Sequence, residues 1–289
     1  MGLLNENDLF KEDIVKKLSD KIPNIEQKVL DEIFSIIDKL DSQGGYFTSG
    51  VLTSEKLLEI SQVINQALAK YGYVDSVETF ISDFGKVTIN TTNLLENVGG
   101  YSFRKLALSD IEKKWISATS ESLLGSGINE GFKRPILQIL DNTISYGSSI
   151  DEAKQQLKDF ISGKKDKTGK LKSYITQTAR DSVSQMQGQQ FQSISNNIET
   201  VGIRYVGGVL NDSRGQCTRW VRELKGFIPW EQLDAEIKLT YKNQALKLEK
   251  PEGHKWGGFM PDTNRSNFLV KRGGYNCTHT AVPVRKKPI

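Results

Sequence analysis

Two cysteines and two histidines make up the chain's whole supply of soft metal ligands, and all four fall in its last 73 residues: Cys217, His254, Cys277 and His279. Two thiols and two imidazoles are the donor set of a closed, four-coordinate structural zinc site. Zinc is therefore the one cofactor expected, with Cys217, His254, Cys277 and His279 as its ligands. Alternation along an extended strand would turn Cys277 and His279 to one face, as two ligands of one ion require. A compact Cys-x-x-Cys knuckle is missing, and the alternative is that both cysteines are small buried hydrophobes. Nearby, Asp212 and Arg214 suit a tight turn. The Asp212 side chain favours the turn itself, and Arg214 can clamp a carboxylate or a carbonyl.

The same residues admit a catalytic reading. Cys217 with His254 or His279 could form a thiol–imidazole dyad oriented by Asp212, or an open zinc site could use Glu223 or Glu252 as general base. No nucleophile motif surrounds Cys217, which is followed by bulky Arg219 and Trp220, and there is no H-E-x-x-H helix. No residue is assigned a catalytic role on this reading.

Charge is unevenly spread. The formal net charge is +4, with −6 over residues 1–150 and +10 over residues 151–289. Positive charge gathers at Lys164, Lys165, Lys167, Lys170 and Lys172, and again at Arg285, Lys286 and Lys287. Such runs fit phosphate or an acidic partner, or they are solvated lysines of a loop and a tail. No stretch approaches the roughly 20 apolar residues of a membrane span. The opening MGLLNENDLFKEDIV has no basic segment followed by an apolar one, so a secretory signal is not expected. Two cysteines 60 positions apart make no disulfide framework and fit a reducing cytosol.

The elements that must position these residues are mostly helices. Ile25, Val29, Ile33, Ile36, Ile37 and Leu40 recur at helical spacing after Pro23-Asn24, predicting a helix over about 24–41. Thr53 or Ser54 opens a second helix, stopped by Gly72. Asp75 with Glu78, Ser109 with Glu112, Pro135 and Ser149 each open another. Residues 163–172 read as an exposed loop or hairpin tip. A long polar helix follows over about 173–198, roughly 39 Å long at 1.5 Å per residue. Its apolar stripe is thin, so it is expected to lie along one side of the subunit and present glutamines and serines to neighbours or water. After Gly202 the texture changes to IRYVGGVL, a strand, then a short helix over CTRWVREL and a longer one from Trp230. Residues 254–263 and 267–284 read as loop and short strands. The expected fold class is α+β: a predominantly helical N-terminal region (1–145), a helical stalk with the basic loop (146–200), and a small α+β module (201–289).

The ordered series G-I-R-Y-V-G-G-V-L-N-D-S-R-G-Q-C (202–217), a helix, and G-G-Y-N-C-T-H-T-A-V-P-V (273–284) resembles the C-terminal region of phage minor head proteins. These form the Mu-F-like, or phage head morphogenesis, family. The resemblance covers about 145–284; residues 1–140 read only as helical. Thr278 stands where many relatives carry arginine, and no Cys-x-x-Cys follows Asp212. The resemblance implies a structural virion protein at the portal vertex, made in the host cytoplasm. It would dock on portal or major capsid subunits and assist head assembly or DNA packaging and ejection, with packaged DNA as a further partner. A virion-packaged zinc- or thiol-dependent hydrolase and a nucleic-acid-binding module are the alternatives.

Overall fold

A computed structural model describes residues 2–40, 42–48, 50, 52–97, 99, 108–165, 167–209, 211, 213–248, 255–275 and 277–285, with only the backbone described for residues 2–5. The chain is an α+β protein, largely helical through its first two thirds and closed by a small three-stranded antiparallel sheet. In order, α1 (Gly2–Ser19), α2 (Ile22–Ile37), a two-residue hairpin β1 (Ser42–Gln43) and β2 (Tyr46–Phe47), α3 (Ser54–Lys70), α4 (Tyr73–Ser82) and α5 (Phe84–Asn97) come first. Next are α6 (Leu108–Leu124) and α7 (Ser126–Ile128), which widens into a π-turn at Asn129–Lys133 and continues as α8 (Arg134–Ser145). Then follow α9 (Ile150–Ile161), the hairpin β3 (Gly163–Lys164) and β4 (Lys167–Thr168), and the 28-residue α10 (Lys170–Asn197). The last part holds β5 (Gly202–Val206), α11 (Gly215–Thr218), β6 (Phe227–Pro229), α12 (Trp230–Ala245), α13 (Phe268–Lys271) and β7 (Thr280–Val284).

The chain divides into two compact units that interleave along the sequence: residues 1–14, 83–116 and 179–289 form one, and residues 15–82 and 117–178 the other. The sequence reading instead cuts it into three successive segments, 1–145, 146–200 and 201–289.

The unit of residues 15–82 and 117–178 is helical. Its core follows from helical spacing: Ile25, Val29 and Ile33 of α2, Ile60 and Ile64 of α3, Ile136 and Leu140 of α8, and Leu157 and Ile161 of α9 are all buried. Local capping sets the boundaries. The Thr53 hydroxyl accepts from Lys56 N, and Ser149 with Glu152 forms a reciprocal capping box, each satisfying helix-end N–H groups that would otherwise lack partners.

The other unit carries the sheet, in the order β6–β5–β7 and antiparallel throughout. β5 is central, so its inward side chains Ile203 and Tyr205 are fully buried, packed with Trp220, Ile228, Phe268, Ala281 and Val282. Residues 181–191 of α10 belong to this unit, and here the expectation of a polar face turned to water fails: Ser182, Ser184, Gln187 and Gln190 are buried. Internal partners for the two glutamine side chains help a polar helix enter a core, although Gln190 Oε1 has none. Gln187 accepts from Lys11 Nζ and donates to Asn7 and Thr91, and Gln190 donates to Thr88. A second correction concerns 267–271, read as loop and strand. Asn264 caps a 3₁₀ turn at Arg265–Asn267, which runs directly into α13.

Candidate metal centre

The site is built from three pieces of backbone that meet behind β5. Cys217 sits in α11, whose start is fixed by Gly215 N donating to Lys255 O at 2.9 Å. The Gln216 side chain exchanges two hydrogen bonds with Gly257, at 2.7 and 3.2 Å. His279 lies one residue and Cys277 three residues before β7, outside the strand on which they were expected. The third piece is the turn after α13, held by Arg214. Its Nη1 donates to Gly273 O at 2.9 Å and its Nη2 to Tyr275 O, so Arg214 clamps two carbonyls. Arg272, with a backbone φ of 44°, donates from Nη1 to His279 O at 2.6 Å.

These pieces bring Cys217, Cys277 and His279 together, their ligand atoms all within 4.8 Å of one another. Cys277 Sγ lies 3.7 Å from His279 Nδ1. For Zn–S near 2.3 Å and Zn–N near 2.0–2.1 Å, tetrahedral geometry sets donor–donor edges of about 3.5–3.8 Å. All three residues are buried, at 2, 4 and 3 % exposure. His279 Nε2 has no hydrogen-bond partner, nor do Nε and Nη2 of buried Arg272. Two thiols and the imidazole Nδ1 that faces Cys277 Sγ supply the donor chemistry of a zinc site. The donor set therefore fits a metal ion.

Electrostatics reinforce this. The Cys217 thiol donates toward Cys277, which holds the Cys277 sulfur well below the usual thiol range, helped by His279 and Arg272. The same interaction, with burial, pushes Cys217 well above it. Lys11 is nearby: burial lowers its pKa, while Asp8 at 2.9 Å opposes that shift. Lys11 Nζ also donates to Thr280 Oγ1 at 2.7 Å, in the residue after His279.

Two residues at the site were not legible as functional. Tyr205 reads only as an inward strand residue, yet its Oη lies 3.3 Å from Cys217 Sγ and 3.4 Å from Cys277 Sγ. Gly273 reads as a turn glycine. A Cβ there would come within 2.6–2.9 Å of Tyr205 Oη and both sulfurs, so the bare backbone makes room for converging donors.

His254, Asp212, Lys286, Lys287 and Glu252 fall outside the described residues. Glu223 pairs with Arg219 at 2.7 Å. Lys164, Lys165 and Lys167 sit on the β3–β4 hairpin, where Lys164 pairs with Asp159 at 2.9 Å, and Lys170 and Lys172 lie in the first turn of α10. Arg285 is exposed, just past β7, in the other unit. A cavity of about 700 Å³ opens beside Ser195, Thr200, Trp230 and Arg265. Among the described residues no helix is long and apolar enough to cross a membrane. No family model, curated protein or solved structure matches this chain.

Proposed function

We propose that this chain is a structural protein whose C-terminal module is pinned by a zinc ion held on Cys217, Cys277 and His279, and that it serves as a minor head protein of a tailed phage. The observation that carries the first part is the convergence of three buried donors drawn from points 60 and 62 residues apart in sequence. A metal there ties the segment before β7 to α11 and fixes the ends of the module. At 2–4 % exposure the sulfurs and imidazole offer no approach for a substrate, which favours pinning over hydrolysis. Bound zinc would supply folding free energy; it needs Cys217 and Cys277 both as thiolates, with loss of the Cys217 proton, and His279 as a neutral imidazole.

The virion reading rests on the ordered series at 202–217 and 273–284. Its two ends form one spatial unit, because β5 pairs with β7 over Gly202–Val206 and Thr280–Val284. In this reading the helical part docks on portal or capsid subunits, and the rigid module assists head assembly or the passage of DNA. The exposed lysines of the β3–β4 hairpin suit an acidic portal surface or packaged DNA.

Metal analysis of the purified protein with Cys217→Ala and Cys277→Ala tests the first part. One zinc per chain is expected in the parent, lost in both variants together with a fall in thermal stability. Intact folding in the variants with loss of a measured hydrolytic activity would instead favour an enzyme. Imaging an intact particle tests the second: density for this chain is expected at the portal vertex, and its absence from purified particles would refute it.

A further inference from the structure

Among the described residues, His, Cys, Asp and Glu side chains contribute three donors to the cluster, one fewer than a closed zinc site takes. The geometry points to Tyr205 as the fourth ligand, its phenolic oxygen completing a Cys217–Cys277–His279–Tyr205 tetrahedron. This rests on the zinc reading above and adds to it the residue that closes the site.

The distances fit. For a zinc–oxygen bond near 2.0 Å and a zinc–sulfur bond near 2.3 Å, the tetrahedral O···S edge is about 3.5 Å. Tyr205 Oη lies 3.3 and 3.4 Å from the two sulfurs, beside the 3.7 Å edge from Cys277 Sγ to His279 Nδ1. The hydroxyl is held there. Tyr205 is 0 % exposed, its backbone lies in the central strand paired on both sides, and its ring is wedged edge-on to Trp220 at 5.0 Å and stacked on His279 at 5.2 Å. A buried tyrosine hydroxyl ordinarily reaches an oxygen or nitrogen partner; the partners recorded for this one are two sulfurs, both weak in that role. Gly273 gives an independent sign. The point where its Cβ would stand is nearly equidistant, at 2.6, 2.7 and 2.9 Å, from Tyr205 Oη, Cys277 Sγ and Cys217 Sγ. Three donors from three separate elements crowd against the bare Cα of Gly273, where any side chain would push them apart.

The sequence suggests His254 for the fourth position, so the two assignments compete and the test sets them against each other. Zinc affinity of the full chain is measured by competition with a chromophoric chelator for the parent, Tyr205→Phe and His254→Ala, with visible spectra of the cobalt-substituted forms. Tyr205→Phe removes one buried oxygen and keeps the ring, and circular dichroism checks its fold. The expected result is at least about a tenfold loss of zinc affinity in Tyr205→Phe, a changed cobalt spectrum, and parent behaviour in His254→Ala. A second readout needs no variant: zinc added to the parent should produce the ultraviolet difference band of tyrosinate, as the phenolic proton leaves to the buffer. Parent affinity and an unchanged cobalt spectrum in Tyr205→Phe, or no tyrosinate band on zinc binding, overturn the assignment while leaving the zinc site standing. A parent chain that binds no zinc overturns both.

Discussion

Glu26 shows how one side chain can make stability depend on pH. It is 3 % exposed in α2 and accepts a hydrogen bond from Lys172 N at 2.9 Å. Burial pushes its carboxyl up to about 7 from an ordinary 4.5, only partly offset by that bond and by the Lys172 charge. The folded chain thus keeps a proton that the unfolded chain has already released between these two values. Stability should fall as pH rises through that window and stay at the lower level above it. Glu26→Gln keeps the acceptor and removes the charge. It should raise stability at pH 8 by on the order of 2 kcal/mol and flatten the slope below pH 7, as read from urea midpoints at several pH values. A variant no more stable than the parent at pH 8 would contradict this. At the candidate metal centre, the thiols and imidazole were legible because their chemistry is rare in this chain. Tyr205 was not, since a phenol on an alternating strand reads as ordinary core, and only the folded distances reveal its two sulfur neighbours.

Helices were legible where a side chain carries the boundary signal. Thr53 and Ser149 mark their helices because the capping hydroxyl acts on backbone three residues away. α5 was hidden for the opposite reason. Its sequence FGKVTINTTNLLEN is rich in β-branched residues and asparagine, which disfavour helix on their own. Packing of Phe84, Val87, Leu94 and Leu95 into the core outweighs that, and Thr88, Thr91 and Thr92 return their hydroxyls to carbonyls four residues back. α13 was missed because four residues of apolar FLVK carry no period. For α10, the pattern correctly gave a long polar helix but the wrong surroundings, since partners such as Lys11 and Thr91 are distant in sequence. Gly188 records how closely that helix is packed: a Cβ there would strike the Leu269 carbonyl at the start of α13. Gly188→Ala should therefore cost about 2 kcal/mol, although alanine is the better helix former by about 1 kcal/mol. Chemical denaturation measures the sign directly, and a stabilised variant would mean that α10 and α13 are not in contact.

Across the molecule, the two interleaved units could not be read from composition, because composition changes along the chain whereas the units are assembled from separated stretches. Lys11 of α1 is a clear case, its ammonium donating to Gln187 and Thr280 and pairing with Asp8. Removing that cation leaves Gln187 Oε1 and Thr280 Oγ1 without their Lys11 donor and Asp8 with only the Thr280 hydroxyl. Lys11→Met should destabilise by about 3 kcal/mol, measured by guanidinium unfolding. A neutral result would show that the apolar stem, not the charge, matters there.

The bond from Lys11 to Thr280 spans 269 positions, and this imposes an order on synthesis. The first helix acquires this partner only after β7 has left the ribosome, so the sheet-bearing unit cannot close before that point. Until then the inward faces of α5, α10 and β5 stay open to other chains. Closure over such long separations is slow, which leaves the open chain exposed to aggregation until the sheet is complete.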